Sequence, residues 1–157
     1  MSRRPGGNLR SMNVAADPVL QALVFAVDTA RGQMSVTLAV NGAVITGILV
    51  SAEEYAATVV AQIRRSRAGN GEGEGLEDFF TPVAEQARER RERHAAAVLA
   101  GGSAPEPELP AYLHLIDAFT VTGDHLPQGP GATWRIRVDD VGGWSVNPIS
   151  APGRRDS

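Results

Sequence analysis

Two apolar runs flank Asn41-Gly42 within residues 34–55, MSVTLAVNGAVITGILVSAEEY. Before that dipeptide, Val36, Leu38 and Val40 alternate with Ser35, Thr37 and Ala39, the period of a half-buried strand. After it, Val44, Ile45, Ile48, Leu49 and Val50 are apolar on both faces, which predicts a strand covered on both sides. Asn41 and Gly42 tolerate positive φ, so the two runs are expected to close as a tight hairpin. Gly47 interrupts the second run, where a glycine permits a bend or a close backbone approach. The strand leads directly into Ser51-Ala52-Glu53-Glu54, a capping box that starts a helix.

The same periodicities organise the rest of the chain. Asp17 reads as an N-cap and Pro18 as the first helical residue. Leu20, Leu23, Val24 and Val27 recur at helical spacing, and Gly32 is placed to end that helix against the hairpin. A second helix is expected over about 52–67, with Tyr55, Val59, Val60 and Ile63 at helical spacing and Arg64, Arg65 and Arg67 at its negative end. Residues 68–75 (AGNGEGEG) form a glycine-acid linker, and its spacing and glutamates do not suit phosphate binding. A third helix over about 77–100 has an apolar first half, Phe79, Phe80, Val83, Ala84 and Ala87. Its second half holds Arg88, Arg90, Arg91 and Arg93, with i, i+4 pairs expected at Arg88/Glu92 and Glu89/Arg93. That half reads as a solvated helix face, with a partner-binding arm as the alternative.

Strand patterning returns at residues 111–122, where Asp117 on an apolar parity predicts a bulge near Asp117-Ala118. A turn-rich loop over 123–131 leads to Trp134, Ile136 and Val138, alternating with Thr133, Arg135, Arg137 and Asp139. Residues 140–143 are expected to turn the chain into a last strand begun by Trp144 and Val146. The organisation is thus polar tails at 1–13 and 151–157 around one α+β domain at 14–150. Five short bent strands behind an N-terminal helix are similar to a small Sm-like or SH3-like barrel, with a helical insertion at about 52–110 between the second and third strands.

Composition removes several function classes. The chain has 157 residues and no cysteine, so neither disulfides, thiolate metal sites nor a cysteine nucleophile are available. No apolar run approaches the about 18 residues that span a bilayer, and no secretory signal is visible. The net charge of −3 offers no general attraction to nucleic acid or anionic lipid. All 15 basic residues are arginine. A GC-rich genome accounts for that bias, with multivalent guanidinium contacts as the functional alternative.

Little in the chain points to catalysis. His94, His114 and His125 lack metal-ligand spacing, and His94 and His125 read as surface residues. His114 lies three positions from Asp117, but opposite strand parity puts the two on different faces. No nucleophile motif is present, and no cofactor is expected. An Sm-like barrel raises RNA binding as an alternative. The positions that would serve it, residues 51–55 and 139–143, carry no asparagine or arginine and include two aspartates.

The segment SVTLAVNGAVITGILVSAEEY resembles the core of the gas vesicle accessory protein U family. The blocks AYLHLIDAFTVTGD and WRIRVDDVGGWSVNPIS, and the leading helix DPVLQALVFAVDTA, resemble it as well. The resemblance implies a non-enzymatic cytoplasmic protein of gas vesicles, the hollow buoyancy organelles. It implies clustering of those vesicles through self-association and contact with the shell or other vesicle proteins, without nucleic acid or membrane as a partner. Asn41, Gly42 and Gly47 are the expected structural turn and bend. Arg64, Arg65, Arg67, Arg88, Arg90, Arg91 and Arg93 are the candidate interaction residues, expected to pair with the acidic residues at 72–78 of a neighbouring molecule.

Overall fold

The computed structural model describes residues 15–67, 75–101, 108–122, 124–127 and 129–147, the side chains of Arg67, Thr122, Asp124, His125 and Leu126 excepted. The tails expected at 1–13 and 151–157 and nearly all of the 68–75 linker lie outside the described residues, as does the His125 side chain.

Asp17 caps helix α1 (Pro18–Ala30): its Oδ1 accepts the N–H of Val19 at 2.8 Å and of Leu20 at 3.4 Å. Its Oδ2 accepts the indole N–H of Trp144 at 2.9 Å, tying the helix start to the far end of the chain. The helix ends one residue earlier than its glycine suggests. Arg31, not Gly32, takes the left-handed conformation, with φ 52°, and its N–H returns to the Val27 carbonyl. Leu20, Val24 and Val27 then face a core shared with Val36, Leu38, Ile45, Leu49, Leu113, Leu115 and Ile136.

Strands β1 (Met34–Val40) and β2 (Ala43–Val50) pair antiparallel in register, Val40 opposite Ala43, around Asn41 (φ 49°) and Gly42 (φ 86°). Two consecutive positive φ values give the turn whose twist suits a two-residue hairpin. Helix α2 (Ala52–Arg67) follows, and the Ser51 hydroxyl accepts the Glu54 N–H at 3.2 Å. The Glu54 carboxylate takes the Gln33 side-chain amide at 2.6 Å instead of reaching back to Ser51. A 3-10 turn (Leu76–Phe79) leads to α3 (Thr81–Leu99). Phe79, expected in the apolar first half of the helix, lies in the 3-10 turn before it and is 74% exposed.

Strand β3 (Tyr112–Thr122) pairs β2, and its register shifts on both sides of Asp117, which has φ 47°. Opposite this bulge, a Cβ on Gly47 would lie 2.8 Å from Ala118 Cβ and 3.0 Å from Ala118 Cα. Gly47 is therefore the close approach that lets the kinked β3 lie against β2. Beyond the kink, β3 pairs the short β4 (Asp124–Leu126); β5 (Ala132–Arg137) pairs β3 mainly before it and again at Ala118. A 3-10 turn (Val138–Asp140) carries the chain to β6 (Val141–Ser145), which pairs β1 on the opposite side.

The sheet runs β4-β3-β2-β1-β6, with β5 also on β3. Among the described residues it is open and does not close into the expected small barrel. On its free side β3 pairs two short partners, β5 up to Ala118 and β4 from Thr120, while β6 pairs β1 at the other end. Two further details differ from the sequence reading. The loop at 123–131 contains β4, and Val141-Gly142-Gly143 belong to the last strand, the turn lying in the preceding 3-10 segment. Trp134, which shares its strand parity with Ile136 and Val138, is 40% exposed near the start of β5, whereas those two are buried.

Candidate functional site

Two arginines from the charged half of α3, Arg90 and Arg91, are half-buried against α1 and α2, while Arg88 and Arg93 stay exposed. Asp28, 7% exposed on the buried stripe of α1, accepts the Ala52 N–H at 2.8 Å and Arg90 Nη2 at 3.0 Å. One carboxylate thus caps α2 and anchors α3. Glu53, in the first turn of α2, gathers three guanidinium groups: Arg31 at 2.9 Å, Arg88 at 3.4 Å and Arg91 in close contact. Burial pushes the Glu53 carboxyl up, but hydrogen bonds and charge from Arg91 and Arg31 prevail and hold it below the usual glutamate value. A groove of about 550 Å³ runs between α2 and α3, floored by Ala56, Ala57, Val60, Phe80 and Ala84.

The candidate arginines therefore divide into two groups. Arg88, Arg90 and Arg91 meet carboxylates of α1 and α2, and Arg88 reaches Glu53 in place of the expected Glu92. Arg64, Arg65 and Arg93 are outward and exposed. Arg64 meets Glu77 of its own chain at 3.1 Å, Arg65 donates to the Ala61 carbonyl, and Arg93 lies 3.8 Å from Glu89 and 3.6 Å from Glu108. The Arg67 side chain lies outside the described residues. Asn41, Gly42 and Gly47 occupy the hairpin turn and the β2–β3 close approach, away from this helical seam.

Histidine placement differs from the sequence reading in one case. His94 is half-buried, its ring edge-on to Phe25 at 5.0 Å, so it packs α3 on α1 and is not a plain surface residue. His114 is 6% exposed, and its ring lies 4.7 Å from that of Tyr55. Burial first, then the charges of Arg135 and Arg90 against the opposing pull of Asp28, lowers the His114 pKa to about 4. Asp117 is exposed on the bulge and accepts the Gly131 N–H at 3.1 Å, so it does not partner His114. Among the described residues, no group of three or more His, Cys, Asp or Glu side chains is placed to hold a metal ion.

Sequence reasoning missed Asp28. Its signal was present: Leu20, Val24, Val27 and Asp28 share one helical face, and an acid there demands a partner.

The gas vesicle protein GvpU-like family pattern matches residues 17–149, from the Asp17 cap to just beyond β6. The chain belongs to this family. GvpU-like proteins are gas vesicle accessory proteins, and the match spans both the sheet and the helical seam. No curated protein and no solved structure matches the chain. Among the described residues, no helix is long and apolar enough to cross a membrane.

Proposed function

We propose that this GvpU-like protein is a non-enzymatic accessory factor of the cytoplasm that promotes gas vesicle clustering or organisation, by binding the vesicle shell, by self-association, or by both. The family match over residues 17–149 carries this reading. The surface chemistry supports it. Arg64, Arg65 and Arg93 present exposed guanidinium groups on the outward faces of α2 and α3. Their present contacts are exposed ion pairs and a carbonyl bond, each worth at most about 1 kcal/mol in water. A partner's carboxylates can exchange for them at little cost, and several such weak contacts act together when the partner is a repeating surface. Arg88, Arg90 and Arg91 serve this function indirectly, by seating α3.

Light scattering of purified gas vesicles with added protein tests the reading. Cluster size is expected to grow with protein concentration at low salt and to shrink as salt screens the exposed charges. Vesicles that stay dispersed at every protein and salt concentration would refute a clustering role.

A further inference from the structure

A cavity of about 240 Å³ lies between α3, the connector before β3, and strands β3 and β5. Arg90, His114, Arg135, Gln86, Tyr112 and Glu108 are among its lining residues. Among the described residues, neither His114 Nε2 nor Arg90 Nε has a hydrogen-bond partner, and both atoms are buried. Leaving such groups unpaired is unfavourable, more so for a charged one. Arg135 lies over the face of Tyr112 at 4.0 Å, a position that fixes its guanidinium beside the cavity.

We propose that this cavity binds a small oxyanion, a carboxylate or a phosphate, held by the guanidinium groups of Arg90 and Arg135 and by His114 Nε2. The basic groups of the pocket fit that ligand. Arg90 uses one nitrogen on Asp28 and retains Nε, and planar guanidinium groups match the paired oxygens of an oxyanion. His114 experiences a positive local field: Arg135 on β5 and Arg90 on α3 oppose its protonation, and only Asp28 on α1 favours it. An anion reverses that balance. Tyr55 on α2 covers the other side of the ring and brings no charge of its own near neutral pH.

Among the described residues, Glu108 is the one acid lining the cavity, and its exposed carboxylate lies 3.6 Å from Arg93. It competes with an incoming anion. A bound oxyanion would connect α3 to the sheet through Arg90 on one side and His114 and Arg135 on the other. Binding would therefore stabilise the folded chain in proportion to ligand concentration.

The test follows the His114 ring by NMR and the melting temperature of the full chain with inorganic phosphate, acetate or chloride at matched ionic strength. Phosphate, acetate or both are expected to raise the His114 pKa and the melting temperature above the chloride control, and the responding anion assigns the ligand class. Arg135→Gln, checked for its fold by circular dichroism, is expected to lose the response, and Glu108→Gln to reach it at lower ligand concentration. Equal responses to chloride and to the oxyanions, no response to any, or an undiminished response in Arg135→Gln would overturn the proposal.

Discussion

Arg90, half-buried, and Asp28, buried, form an ion pair 3.0 Å long that joins the third helix to the first. The arginine comes from the most charged run in the chain and the aspartate from an apolar helix stripe. Because Asp28 also holds the first N–H of α2, three helices meet at one carboxylate. Arg90→Leu is expected to destabilise the chain by about 3 kcal/mol, since it strands a buried carboxylate. Adding Asp28→Asn should recover part of that loss while keeping an oxygen for Ala52. Urea denaturation of the two single variants and the double variant measures the coupling.

Gly47 and Ala118 set how closely β2 and β3 approach at the bulge. Gly47→Ala places a methyl group 2.8 Å from Ala118 Cβ and is expected to cost about 1–3 kcal/mol through overpacking. Ala118→Gly in the same chain removes the nearest atom and should restore part of the stability. Thermal melts decide it: a Gly47→Ala variant as stable as the parent would contradict the close approach.

His114 makes stability depend on pH. Its pKa is about 4 in the folded chain against 6.5 for a free histidine, so the unfolded chain binds the extra proton first. Stability is full above pH 6.5 and falls as pH drops toward 4, by about 3 kcal/mol over that interval. The groups facing the ring are Arg135, Arg90, Asp28 and Tyr55, and only Asp28 opposes the effect. Glu53, held below its ordinary value, loses its contribution in the same direction but lower on the pH scale, as it protonates. His114→Phe should flatten the dependence between pH 6.5 and 4 in a series of denaturant titrations.

Asp17 joins the first helix to the last strand through Trp144. Asp17→Ala is expected to lower the melting temperature and to shift indole emission toward that of a solvated ring. Asp17→Asn, which keeps an acceptor for the cap, should show the smaller change.

Much of this fold was legible because local chemistry and final geometry agree. Asn41-Gly42 announced the hairpin, Asp17-Pro18 the first helix, and Asp117 among apolar neighbours the bulge. Other features depend on partners distant in sequence. Arg90 looks like its neighbours Arg88 and Arg93 until α3 is laid on α1, when it alone meets Asp28. The cavity at His114 requires α3, β3 and β5 together, and no spacing within one segment encodes it. Barrel closure was misjudged for a related reason: five of the six strands were readable, but β4 and its pairing with the end of β3 were not.

Co-flotation with purified gas vesicles tests the central claim most directly. The protein is expected to rise with the vesicle layer at low salt, to be released as salt increases, and to bind more weakly when Arg64, Arg65 and Arg93 are all changed to glutamine. Protein that remains below the vesicle layer at every salt concentration, while fully folded, would contradict shell binding.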